Sequence, residues 1–104
     1  MKLIQAVVDP GAIHRVQDEL NRVEVFRLTI SDVETLERPR SPGLTFETRA
    51  GVRLEIAVNE NFVKPTLDAL YRALKDEDER AAVYVLPLKD AIRIRTGERG
   101  PEAI

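Results

Sequence analysis

Apolar positions along the chain recur with two different periods. Lys2 to Val8 is a compact apolar run and predicts a strand. Asp9-Pro10 then predicts a helix start, with Asp as N-cap and a fixed-φ residue in the first position. Ile13, Val16 and Leu20 follow at spacings of three and four, so one face of that helix is expected to be buried. Glu24 to Val33 carries Val25, Phe26, Leu28, Ile30 and Val33 and predicts a second strand.

Glu34 to Gly43 contains Pro39, Pro42 and Gly43 and predicts a loop or a sheet excursion. Leu44 to Thr48 and Val52 to Val58 flank Arg49-Ala50-Gly51, a hairpin signal. In the second arm Val52, Leu54, Ile56 and Val58 alternate with Arg53, Glu55 and Ala57, so one face is apolar and the other mostly polar. Val63, Leu67, Leu70 and Leu74 mark a second amphipathic helix. Asn61 is its expected N-cap, which puts Pro65 in the first turn, where a missing N–H costs little. Lys75 to Arg80 is a charged stop, and Ala82 to Leu88 predicts the last strand. The order βαββαβ predicts an α+β, ferredoxin-like fold with two helices on one face of an antiparallel sheet.

Composition narrows the function classes. A chain of 104 residues is expected to form one domain, 1–104, of a size often helped by oligomerisation. With 43% hydrophobic and 33% charged residues it is globular rather than disordered. A net charge of -2 gives no reason to expect nucleic acid or an anionic membrane as partner. Without cysteine there is no disulfide scaffold, thiolate zinc site or Cys nucleophile, and one histidine argues against a His-rich metal centre. No apolar run approaches the roughly 20 residues that span a bilayer, and Met1 to Ile4 runs straight into a strand. The expected location is the cytoplasm.

The candidate chemistry lies mainly at the C-terminal end. Arg93 and Arg95 are two apart and would share one face of a strand, where two guanidinium forks suit a polyphosphate. By spacing alone a plainer reading is favoured: a solvated strand edge with ion pairs to Glu98 and Glu102. Arg38 and Arg40 are either an anion- or partner-binding loop or ordinary loop solubility. Thr29 either bonds a ligand or merely suits a β-branched position. His14 reads as a surface or boundary residue rather than a ligand or base, with no sequence-evident acid/base partner. Asp76 to Glu79 lacks the spaced ligands and glycine of a calcium loop and reads as a solvated helix end. No Gly-rich phosphate loop of the Walker or Rossmann type is present.

Taken together, Met1 to Pro10, Leu28 to Val33, Arg53 to Val58 and above all Arg93-Ile-Arg-Thr-Gly-Glu98 resemble the PII signal-transduction family. The similarity covers almost the whole chain except two windows. It implies a homotrimer with adenine nucleotide in the clefts between subunits. The implied site is split: Arg93 and Arg95 clamp phosphates from one subunit, Thr29 with the backbones of Val7 and Ala57 contacts adenine or ribose, and Arg38 approaches the phosphates.

The two windows depart from the family. The T-loop region, residues 36–51, is several residues shorter than the family's and contains two prolines. It has no Tyr, and Glu37-Arg38-Pro39 replaces the family's Gly-Arg-Gln, so 2-oxoglutarate sensing and uridylylation are not expected. Lys75 to Ala82 replaces the family's phosphate-cradling Gly-Asp-Gly-Lys stretch. Its four acidic residues repel a triphosphate, with Arg80 compensating in part. The expectation is AMP or ADP in preference to ATP, or no nucleotide. The leading reading is a trimeric sensor of adenine nucleotide, with a small anion such as bicarbonate near Arg38 and Arg40, controlling a metabolic or transport protein. The alternative is a ligand-free structural trimer in which the C-terminal arginines (91–104 segment) serve packing. A small enzyme is least supported, because no base or metal cluster is visible.

Overall fold

The computed structural model describes residues 1–38, 43, 45–76 and 81–104. It has strands β1 (Lys2–Val8), β2 (Thr29–Glu37), β3 (Glu47–Val58) and β4 (Ala82–Pro87), with helices α1 (Ile13–Arg22) and α2 (Glu60–Leu74). The strands form one sheet in the order β2-β3-β1-β4, with every pairing antiparallel. This is the ferredoxin-like α+β arrangement that the βαββαβ order predicts.

The core lies between one sheet face and the two helices. Ile4, Ala6 and Val8 of β1 and Val52, Leu54, Ile56 and Val58 of β3 form one cluster with Val16 and Leu20 of α1 and Leu70 and Leu74 of α2. Period-two alternation sends the intervening residues, Leu3 and Val7 of β1 and Arg53, Glu55 and Ala57 of β3, to the opposite face. Among the described residues no helix covers that second face.

Four local expectations are corrected. The second strand begins at Thr29 rather than Glu24, and runs on to Glu37 rather than stopping at Val33. Residues 23–25 instead close α1 in a Schellman turn: Val25 N–H donates to the Leu20 carbonyl (3.0 Å) and Glu24 N–H to the Asn21 carbonyl (3.1 Å). Glu24 sits at φ 63, the left-handed conformation that glycine usually supplies. Val25 then packs against the core next to this turn, and so reads as apolar without being strand.

The hairpin expected at Arg49-Ala50-Gly51 is absent, because β3 runs unbroken through those residues. Its partner is β2, from Thr29↔Glu55 to Glu37↔Glu47. Gly51 answers a close approach rather than a turn: a Cβ there would lie 3.1 Å from Val7 Cγ1 and 3.4 Å from the Val8 carbonyl oxygen. The pairing of β1 with β3 ends at Val8↔Val52, so residues 47–51 of β3 with their β2 partners continue as a two-stranded ribbon.

The helix starts also differ. A 3-10 turn (Pro10–Ala12) precedes α1, and the Asp9 side chain makes no capping bond. Its carboxylate pairs instead with Arg49. Helix α2 begins two residues earlier than expected, with Asn59 rather than Asn61 at the N-cap, so Pro65 falls inside the helix. Pro65 lacks the N–H that would bond to the Asn61 carbonyl one turn back.

Candidate functional site

The C-terminal segment folds back as a tight hairpin rather than continuing as a strand. Ile92 and Arg99 form an antiparallel bridge. Arg93 N–H donates to the Glu98 carbonyl (2.9 Å), Gly97 N–H to the Arg93 carbonyl (2.7 Å), and Gly100 N–H to the Ala91 carbonyl (2.9 Å). Gly97 and Gly100 adopt φ of 74 and 70, which the turn geometry requires. Farther on, Asn59 Nδ2 donates to the Pro101 carbonyl at 3.0 Å and ties the tail to the start of α2.

An ion pair between Asp90 and Arg99 closes the base of this hairpin, and Ala91 N–H also donates to Asp90 Oδ1 at 2.9 Å. The hydrogen bond from Arg99, aided by the backbone N–H groups of Ala91 and Gly100, holds the Asp90 carboxyl below its ordinary 3.8. A depressed folded-state pKa contributes stability above the ordinary carboxylate value, and that contribution is lost as pH falls through the folded value. The expected result is a Gly100 amide NMR signal that is constant near neutrality and shifts only below about pH 4, as the hairpin opens. Asp90→Asn should remove that transition; a titration identical in the variant would count against the pair.

Two concavities lie at opposite ends of the helix-free face. The first, of about 470 Å³, is lined by Thr29, Ala57 and Arg93 together with Leu3, Arg27 and Glu55. Thr29 opposes Glu55 across β2 and β3, and Leu3 opposes Ala57 across β1 and β3, so the sheet register sets this floor. Arg93 reaches it from the hairpin, and its guanidinium is only loosely engaged, 3.9 Å from Glu98. The second concavity, of about 240 Å³, is lined by Val7, Asp9, Thr35, Glu37, Arg49 and Tyr84. Leu3 and Val7 are four residues apart on β1, which sets the two sites roughly 13 Å from each other along the strand.

The structure thus gathers three of the expected site residues, Thr29, Ala57 and Arg93, and sets Val7 at the far end of the face. Arg95 lies in the turn of the hairpin and lines neither concavity, so it does not share a strand face with Arg93. Arg38 lines neither concavity. Arg80, Arg40, Pro39 and most of the acidic run lie outside the described residues. Sequence reasoning missed Arg27, Asp9, Arg49 and Tyr84 as lining residues. Glu55 was findable, because it shares the polar face of β3 with Ala57. His14 is exposed on α1, and among the described residues no acidic, His or Cys group is arranged to hold a metal.

The described residues thus combine a ferredoxin-like sheet with one helix-free face, a C-terminal arginine hairpin and two separate concavities. Residues 1–98 match the family model of nitrogen regulatory protein P-II. The chain is 37% identical over 114 residues to nitrogen regulatory protein GlnK1 of Methanosarcina mazei, covering 100% of this chain and 97% of that one. It is 29% identical over 112 residues to nitrogen regulatory protein P-II of Nostoc punctiforme, and 30% identical over 112 residues to that of Synechocystis sp., covering all of each chain. The chain belongs to the P-II family of nitrogen regulatory proteins, a family of regulatory signal transducers rather than enzymes. Each alignment is longer than the 104 residues of this chain, so the relatives carry residues that have no counterpart here. Among the described residues no helix is long and apolar enough to cross a membrane.

Proposed function

We propose that the chain forms a cytoplasmic homotrimer that senses an adenine nucleotide in the clefts between subunits and controls a metabolic or transport protein. AMP and ADP are its preferred nucleotides, with a small anion such as bicarbonate as a second effector. The observation that carries this reading is the division of the pocket. Thr29, Ala57 and Arg93 lie at one end of the helix-free face and Val7 at the other, so no single chain brings them together. A head-to-tail ring puts one end of each subunit against the other end of the next, and so completes one site per interface.

In that site the Thr29 hydroxyl and the apolar floor of Leu3 and Ala57 receive the base and ribose, and Arg93 pairs with phosphate. Discrimination against ATP follows from charge. The described lining of the second concavity carries two carboxylates, Asp9 and Glu37, beside the Arg49 guanidinium, and Asp76 to Glu79 adds acid in the sequence just before β4. Ligand then favours one arrangement of the 36–51 region over another, which is a population shift read by the partner.

A thermal-shift series tests this directly. A ligand that binds only the folded state adds about 2.7 kcal/mol at a hundred times its dissociation constant, so AMP and ADP should raise the melting temperature in a saturable way. ATP should give the smaller rise at equal concentration. Melting temperatures unmoved by AMP, ADP, ATP, cyclic nucleotides and bicarbonate alike would remove the sensor reading.

A further inference from the structure

We propose that Arg49 is an oxyanion-binding guanidinium of the smaller concavity, and that Asp9 is its built-in competitor. The inference deepens the preceding reading and rests on its premise that an anionic ligand occupies the helix-free face. Asp9 follows directly on the last rung that β1 shares with β3, Val8↔Val52. Arg49 lies where β3 has left β1 and pairs only with β2, opposite Thr35. The end of one ladder and the base of the ribbon therefore meet, and their side chains form an ion pair within the concavity.

The environment of this pair suits exchange of partners. Its side chains are 34% and 35% exposed, so the pair is neither sealed in the core nor fully solvated. A guanidinium carries five N–H donors, more than one carboxylate can use. Thr35 and Tyr84 add hydroxyl groups to the same lining. The volume of about 240 Å³ is below the size usual for a whole drug-sized ligand and suits a phosphate group or a free oxyanion. An oxyanion that enters must take Arg49 from Asp9 in the presence of Glu37, and this competition weakens binding.

The sign of one substitution separates this proposal from a merely structural ion pair. Asp9 makes no side-chain cap bond, so Asp9→Asn removes a charge without removing a helix cap. We expect Asp9→Asn to bind ADP about three- to tenfold more tightly than the unaltered chain, as the competing carboxylate is lost. Arg49→Ala should weaken ADP about ten- to hundredfold, and Arg49→Lys should fall between, because it keeps the charge and loses the fork. Calorimetric titrations with ADP, inorganic phosphate and adenosine provide the comparison. Sensitivity to both substitutions with ADP alone assigns the site to a nucleotide phosphate. The same sensitivity with inorganic phosphate assigns it to a free oxyanion, and either result supports the proposal. Adenosine should respond to neither substitution. If ADP or phosphate binds but Asp9→Asn binds no tighter, with circular dichroism showing a folded chain, this proposal is overturned and the sensor reading stands. If neither ligand binds any of the four chains, both are overturned.

Discussion

Arg93→Ala is expected to leave a folded, assembled protein whose affinity for ADP has dropped about ten- to hundredfold, the usual cost of losing a hydrogen bond to a charged group. Folding should survive because the hairpin is held by the Arg93 backbone, not its side chain. Its N–H donates to the Glu98 carbonyl and its carbonyl accepts from Gly97 N–H. Among the described residues the side chain's one ion pair is the 3.9 Å contact with Glu98. Arg95→Ala should have a smaller effect, since Arg95 lies in the turn and lines neither concavity. Sedimentation and calorimetry on both variants separate the two functional readings. A sensor loses ligand and keeps its oligomeric state, whereas a structural module whose arginines serve packing loses the oligomer. Unchanged ADP affinity in Arg93→Ala would remove Arg93 from the site.

The unequal treatment of Arg93 and Arg95 shows what a sequence can and cannot specify. Val52, Leu54, Ile56 and Val58 alternate, and all four are buried as the alternation predicts. Val16, Leu20, Leu70 and Leu74 likewise sit in the core at the helical spacings they display. Burial of one face depends only on local period, so element types and order are legible. Where local signals conflict with tertiary pairing, the pairing wins. Ala50-Gly51 resembles a turn, yet β2 offers partners along the whole stretch and the strand continues. Ile92-Arg93-Ile94-Arg95 resembles a strand, yet Gly97 and Gly100 close it into a hairpin. The Asp9–Arg49 pair joins residues 40 apart, and no periodicity connects them. Resemblance to the family supplied Thr29, Ala57 and Arg93 as a group, which spacing alone left ambiguous. Neither source pointed to Arg27, whose position just before β2 is the short stretch misread as strand.

Leu86→Glu is expected to convert the assembly to folded monomers and, with it, to abolish the ADP response. Leu86 and Leu3 are cross-strand partners, and Leu3 lines the larger concavity on the helix-free face. Leu86 is 39% exposed and Tyr84, two residues away on the same face, is 59% exposed in a single chain. Large apolar side chains left exposed at this edge of the helix-free face call for a covering surface. If neighbouring subunits supply it, a carboxylate at position 86 is buried without a counter-charge, at a cost of several kcal/mol per interface. The subunit itself should be spared, because the core side of β1 and β3 is untouched and Glu at this edge strand remains solvated in the monomer. Leu86→Ala should weaken assembly far less, as it removes area without adding charge. On the proposed intersubunit site, loss of ligand should accompany loss of assembly, since Thr29, Ala57 and Arg93 lie at the opposite end of each chain's own sheet from Val7. A monomeric Leu86→Glu that still binds ADP with unaltered affinity would place the entire site within one subunit, and an undiminished trimer would place the interface elsewhere.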